Sequence, residues 1–346
     1  MAGLCAAARA RERGVTPTVL EKGDRPGGSM MLSSGVVWRY RSLDDFRREC
    51  PSGDPRLQRL IVERLDEGLD WLESLGAPVV EAETRNPRTV GRRFDPRGLT
   101  EALMRAAAGE IRTGHALGSD PETRLEEPLV LATGGFPVRL ARELGLPIRS
   151  NMWSEGDGLA FGLTRGADTT PGMLEFYGRA MPAPPATWAE DEFVDHAQLY
   201  GHLARVFDES GEEIAVEADD WSENGLVQEI ARRGGRAWFI VDPKNLGRAT
   251  PYGTVAEVVA RARSVGATVE ERNDGSLAVH VVAAVTHTIG GLVIDERARV
   301  LSQAGTPVEG LYAAGVDPGG WSTGGYASGL AAALVFGRIT AEQIAN

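Results

Sequence analysis

Glycine pairs carry the first chemical signal in this chain. Gly27-Gly28, Gly134-Gly135, Gly290-Gly291, Gly319-Gly320 and Gly324-Gly325 recur among 43 glycines in 346 residues. Glycine lets a backbone lie close against a ligand or take a left-handed turn, so a bulky group held by several loops is the simplest cause. Gly3 and Glu21 add a second signal. In a dinucleotide-binding βαβ unit the third glycine of GxGxxG opens the helix. A carboxylate about twenty residues later, at the tip of the second strand, takes the ribose hydroxyls. Gly3 and Glu21 fit those two parts. The plainer reading of the same residues is a surface helix followed by a solvated strand-end acid.

The elements that must position these residues follow from pattern. Residues 2–13 (AGLCAAARARER) are Ala-rich with one apolar side and predict a short helix ending at Gly14. PTVLEK, residues 17–22, reads as a brief strand closing on Glu21. The first strand and first two glycines of such a unit would lie upstream of Met1, so the reading expects a start codon placed too late or a clipped chain. Residues 57–75 predict an amphipathic helix stopped by Gly76. Pro87 to Pro96 (PRTVGRRFDP) reads as a basic loop before a helix near 99–108, and 128–136 (PLVLATGGF) as a strand running into a glycine turn. Trp153 to Gly158 is turn-rich and reads as the structural start of a helix. The block 181–286 opens on Pro182, Pro184 and Pro185 and changes texture, as an inserted domain would. A strand at 310–315 and a small-residue helix at 327–343 close the chain.

Composition excludes several classes. The formal charge is −12, with no basic run or aromatic ladder, so nucleic-acid binding is disfavoured. The two cysteines, Cys5 and Cys50, offer no CxxC or CxxCH, hence no haem attachment, zinc knuckle or disulfide framework; no metal site is expected. An apolar run of about 18 residues, as a membrane span needs, is absent. Arg9, Arg11 and Arg13 interrupt any signal-peptide character, leaving the cytoplasm as the expected location.

Four islands in order then resemble one family, the fumarate reductase and succinate dehydrogenase flavoproteins. These are LEKGDRPGGSMMLSSG (20–35), LATGGF (131–136) with EGDGLAFGLTRGA (155–167), THTIGGLVID (286–295), and GLYAAGVDPGG with SGLAAALVFGR (310–338). The resemblance implies an α/β fold: a Rossmann-like FAD-binding domain of residues 1–180 and 287–346, lacking its first strand, with an inserted α+β capping domain at 181–286. It implies FAD as cofactor, and the absence of a tethering histidine in the first loop implies non-covalent attachment. The expected contacts, besides Gly3, Glu21 and Lys22, are Gly27, Gly28, Ser29, Ser33, Ser34 and Gly35 along the diphosphate and flavin. Thr133, Gly134 and Gly135 would meet the adenosine half, and Asp157 is a further cofactor contact; Ala314, Gly315, Ser328, Gly329 and Leu330 would meet the ribityl chain and flavin ring.

At the catalytic positions the chain keeps one feature of that family and departs from three. His287, in THTIGG, matches a family histidine. Tyr177, in EFYGR, stands where relatives carry a histidine. Glu213, in GEEIAVE, stands where relatives carry a proton-donating arginine, and GGYASG (324–329) offers Tyr326 in place of another arginine. Without those arginines a dicarboxylate loses its bidentate clamp, so fumarate and succinate are unexpected substrates. The remaining set, Tyr177, Tyr200, Tyr326, Arg179 and His287, suits proton exchange beside a carbonyl. SSGVVW (33–38) resembles the loop of 3-ketosteroid dehydrogenases, and the SGL…VFGR helix that of tricarballylate dehydrogenase-like members. The reading is an FAD-dependent dehydrogenase or reductase of a carbon–carbon bond beside a carbonyl, acting on a small molecule. No second dinucleotide fingerprint is evident, so the electron donor or acceptor is unassigned. The alternative is a catalytically silent flavin-fold protein that binds a ligand or partner. Val316 occupies the place of a family glutamate near the ribityl chain, with Asp317 one residue beyond.

Overall fold

The computed structural model describes residues 1–118, 128–216 and 220–345. Its α-helices are α1 (Ala2–Glu12), α2 (Leu43–Glu49), α3 (Pro55–Ser74), α4 (Pro96–Ala107), α5 (Pro137–Leu144), α6 (Asp157–Thr164), α7 (Asn224–Arg232), α8 (Val255–Ser264) and α9 (Gly329–Ile344). Two compact units share the chain. One comprises Met1–Pro137, Asn151–Glu175 and His287–Asn346, the other Val138–Ser150 and Phe176–Thr286. Residues 138–150 and the strand Phe176–Pro182 therefore go with the second unit rather than the first.

In the first unit, local sequence fixes where helices begin. Asp54 and Asp95 each cap a helix whose first residue is proline, accepting from Arg56 N and Gly98 N. A carboxylate there satisfies an orphan N–H, and proline at that position gives up no needed donor. The four-residue spacing of Leu57, Ile61, Leu65 and Leu69 then buries one stripe of α3. Helix α1 packs on α9 and α4. Small residues make that approach possible: a Cβ on Gly337 would lie 2.7 Å from the Ala2 carbonyl oxygen and 3.0 Å from Cys5 Cβ.

Two parallel pieces of sheet flank α1. Thr18–Leu20 pairs with Glu110–Arg112, while Leu129–Leu131 pairs with the central strand Pro307–Ala313. That central strand also pairs antiparallel with Arg299–Leu301. Among the described residues these two pieces are not hydrogen-bonded to each other. A third, antiparallel sheet corrects the expectation of a basic loop at Pro87–Pro96. Thr89–Phe94 is its middle strand, paired with Val36–Tyr40 on one side and Val79–Glu81 on the other. The two prolines only bracket the strand. Its charged side chains are accommodated by acids, Arg92 by Asp70 and Glu73 and Arg93 by Glu81, and Gly91 lets the strand lie tight on Val37.

The second unit holds a six-stranded, largely antiparallel sheet with α7 and α8. Its longest strand, Leu277–Thr288, pairs with Arg236–Val241 and Val269–Glu271 and ends with His287 and Thr288, which belong to the first unit. Among the described residues no helix is long and apolar enough to cross a membrane, and no cluster of His, Cys, Asp and Glu could hold a metal.

Candidate functional site

Within the first unit the predicted glycine turns become a set of left-handed corners. Gly27 (φ 116°), Gly28 (54°), Gly35 (75°), Gly134 (92°), Gly135 (69°) and Gly315 (79°) all lie where side chains are rarely tolerated. Close neighbours add a second reason at Gly135, where a Cβ would sit 2.5 Å from Thr288 Oγ1 and 2.9 Å from the Val316 carbonyl. A Cβ on Gly3 would lie 3.4 Å from Ala132 Cβ, and one on Gly315 only 3.0 Å from Ala2 Cβ, tighter than an ordinary contact. The first turn of α1 thus meets the ends of both neighbouring strands through small residues. Its N-cap makes no side-chain bond, and no acidic residue lies in that turn. Backbone N–H groups at a helix start favour an anion such as a diphosphate.

The other expected cofactor residues fall into two groups. Several are engaged in holding the loops. Glu21 accepts from Gly23 N at 2.8 Å. Lys22 pairs with Asp157 at 2.9 Å and with Glu155 at 2.6 Å. Ser29 accepts from Asn151 N, Ser33 bridges the Met30 carbonyl and Gly35 N, and the Ser34 carbonyl accepts from Arg93. Thr133 N and Gly134 N both donate to the Asp317 carboxylate, which also takes the Thr133 hydroxyl at 2.8 Å. Burial pushes the Asp317 pKa up while these bonds pull it down. The turn 133–134 is therefore clasped by Asp317, a tie the sequence did not reveal. The second group comprises Ala314, buried just past the strand Pro307–Ala313, and the start of α9, where Ser328 caps the helix by accepting from Ala331 N and Gly329 and Leu330 form its half-buried first residues.

His287 meets that helix start. A Cβ on Gly329 would lie 3.2 Å from His287 Nε2. Nδ1 sits 3.1 Å from the Thr288 carbonyl, which only accepts, so Nδ1 carries the proton and Nε2 the lone pair. Burial lowers the pKa to about 4, so the ring is neutral at neutral pH and cannot serve as a fixed cation. Its ring centroid lies 6.3 Å from that of Trp321.

Trp321 opens a tripeptide that sequence reasoning missed. Among the described residues, Trp321 Nε1, Ser322 Oγ and Thr323 Oγ1 are buried without a hydrogen-bond partner, as is Thr288 Oγ1. Each such donor costs roughly 1–3 kcal/mol. A Trp-Ser-Thr set enclosed by Gly319-Gly320 and Gly324-Gly325 is the pattern that could have flagged it. Nearby, Tyr326 stands edge-on to Trp38 at 5.4 Å, and Tyr40 donates to the Tyr326 carbonyl at 2.6 Å. The SSGVVW and GGY segments, distant in sequence, form one aromatic group.

The remaining candidates lie in the second unit. The Arg179 guanidinium covers the Tyr177 ring at 4.7 Å and donates to the Ser222 carbonyl. Tyr200 is fully buried and donates to Gln198 Oε1 at 2.9 Å. Glu213 is exposed and pairs with Arg205 at 3.1 Å; Glu217, at the end of the same segment, lies outside the described residues.

Comparison with known proteins agrees with this geometry. A family model described as FAD binding domain matches residues 1–127 and 118–332. An NADH:fumarate oxidoreductase of Klebsiella pneumoniae is 23% identical over 435 residues, across 100% of this chain and 46% of that protein. The chain thus spans about half the length of that relative. Among solved structures, the 3-ketosteroid-delta4-(5alpha)-dehydrogenase of Rhodococcus jostii superposes with a TM-score of 0.72 at 17% identity, covering 100% of this chain and 95% of that one. A flavocytochrome c3 fumarate reductase gives 0.70 at 19% identity, covering 99% and 76%. The small-residue corners, the helix start at α1 and the unpartnered hydroxyl of Thr288 beside Gly135 fit such a cofactor.

Proposed function

The chain belongs to the FAD-binding family of the fumarate reductase and succinate dehydrogenase flavoproteins, and from that premise we propose an FAD-dependent oxidoreductase acting on a carbon–carbon bond beside an uncharged carbonyl. FAD, held without a covalent link, supplies hydride transfer. The chain's own residues bind, orient and exchange the proton.

One observation carries this reading: Trp321, whose ring lies 6.3 Å from that of His287, and the two residues that follow it bury uncharged donors. Trp321 Nε1, Ser322 Oγ and Thr323 Oγ1 can each donate to a ketone oxygen, and none offers the paired charge a dicarboxylate requires. Desolvation holds His287 neutral with its Nε2 lone pair toward the start of α9, where it can accept a hydrogen bond and orient a bound group. Tyr326, packed edge-on against the buried Trp38, supplies an aromatic surface suited to a ring-bearing substrate.

The test is a screen of cyclic enones and saturated ketones against fumarate and succinate, coupled to an artificial electron acceptor or donor. Turnover of an uncharged ketone or enone with none of either dicarboxylate is the expected result. Turnover of fumarate alone would overturn the assignment.

A second reading, a flavin-fold protein that binds without turnover, draws on Glu213, which is exposed and paired with Arg205 rather than poised for proton transfer. Protein that carries reducible FAD yet turns over nothing in the screen would favour it.

A further inference from the structure

The stretch Trp153 to Gly158 reads from sequence as the structural start of a helix, with Asp157 an expected FAD contact, and the loop Asn151–Asp157 touches three of the segments assigned to FAD. Asn151 N donates to Ser29 Oγ at 3.2 Å. Ser154 Oγ lies where a Cβ on Gly134 would come within 2.6 Å. Glu155 and Asp157 both grip Lys22, next to Glu21. The loop is also internally tied, with Trp153 N donating to Asn151 Oδ1 at 3.1 Å and Ser154 N to the Asn151 carbonyl at 3.2 Å. Its backbone is thereby held in one position relative to all three segments.

The side chain this loop presents is Trp153. Its edge is seated on Gly23: a Cβ there would lie 2.8 Å from Trp153 Cδ1 and 3.0 Å from Nε1, so glycine is required for the seat. The indole nevertheless remains 47% exposed. Gly23 is two residues past Glu21, the acid expected to take the adenosine ribose. A rigid, half-bare indole therefore stands beside the place where a base must emerge from its sugar. Its charged neighbours, Lys22, Glu155 and Asp157, are spent on one another.

We propose that Trp153 is the stacking platform for the adenine ring of FAD. The inference rests on the assignment of FAD as cofactor and adds a residue that recognises its adenine end. Stacking on an aromatic side chain asks only for a π-face, and replacing such a side chain by alanine weakens binding by about tenfold or more. Seating the base through an exposed, pre-positioned ring also limits the ordering cost of binding.

The experiment titrates the intact flavin-free chain with FAD, with FMN, and with AMP as an adenine-side fragment, reading tryptophan fluorescence and dissociation constants. Trp153→Ala is expected to raise the FAD dissociation constant about tenfold, to leave FMN binding unchanged, and to abolish competition by AMP. Trp153→Phe should recover most of the affinity, because a ring remains. Gly23→Ala, which must push the indole from its seat, should shift FAD affinity in the same direction as Trp153→Ala. Equal FAD affinity in wild type and Trp153→Ala would overturn the inference and leave the cofactor assignment standing. Equal weakening of FAD and FMN would overturn it too, showing a general loosening instead of adenine recognition. Wild-type protein that takes up no FAD would overturn the cofactor assignment, and the inference with it.

Discussion

The two units differ in how the polar side chains assigned to chemistry are partnered, although the second also buries His196 Nδ1 without a hydrogen bond among the described residues. In the second unit every group that sequence reasoning marked for chemistry has a described partner: Arg179 has Tyr177 and Ser222, Tyr200 has Gln198, and Glu213 has Arg205. In the first unit Thr288, Trp321, Ser322 and Thr323 bury polar atoms that have none. A buried donor without a partner destabilises the fold unless something else repays it. Stability accounts for the polar pairs of the second unit. It does not account for the hydroxyls of Thr288, Ser322 and Thr323 or for the Trp321 N–H, the groups that the proposed function assigns to binding.

The sharpest way to break this contrast is to create orphans in the first unit where the fold has none. Asp317 is 1% exposed and clasps Thr133 N, Gly134 N and the Thr133 hydroxyl. Asp317→Ala strands those donors and is expected to lower stability by about 3 kcal/mol, read as a shifted urea midpoint at unchanged slope. FAD should be lost with it, because the turn 133–135 would no longer be held. A variant as stable as wild type would show that polar satisfaction does not govern this unit.

The next effect is one of pH. Burial lowers the His287 pKa to about 4 from an ordinary 6.5. The unfolded chain therefore takes up the proton first as pH falls, and the folded state resists it. Stability attributable to His287 is complete above pH 6.5 and is lost progressively between 6.5 and 4. The loss should be on the order of 2 kcal/mol. Melting curves across that range should fall for wild type and flatten for His287→Gln. Parallel curves would remove His287 from the desolvated site and weaken the contrast between the units.

Much of the fold was legible because it is written in local repeats and punctuation. The Ala-rich start, the four-residue stripe of Leu57 to Leu69 and the small-residue end predicted α1, α3 and α9, and Gly14 and Gly76 marked two stops. Glycine pairs located the corners at 27–28 and 134–135 before any geometry was known. What remained hidden depends on contacts between distant residues. Asp317 and Thr133 are 184 positions apart, and no spacing rule links a carboxylate to the turn it will clasp. Thr89–Phe94 was mistaken for a loop because the proline and arginine signals outweighed a six-residue strand whose charges are neutralised only in three dimensions. Trp153 was legible as a turn residue, but its exposed face is a property of the seat on Gly23.

The smallest effects test the contrast most directly, because the same chemical change should have opposite signs in the two units. Tyr200→Phe removes a buried hydroxyl that donates to Gln198 Oε1, leaves that acceptor stranded, and should cost about 1 kcal/mol. Thr288→Val and Ser322→Ala remove hydroxyls of nearly the same burial that donate to nothing. Each should leave stability unchanged or raise it by about 1 kcal/mol, since a desolvated polar atom disappears with little change of volume. The gain should come with a loss of function, the exchange expected when a site keeps groups the fold does not need. Thr288→Val should weaken FAD binding, and Ser322→Ala should raise KM for an uncharged ketone while leaving FAD affinity intact. Thermal melts and flavin titrations on the three variants separate the two ideas. If Thr288→Val and Ser322→Ala lose as much stability as Tyr200→Phe, those hydroxyls serve the fold, and the uncharged donor set loses its claim on a substrate.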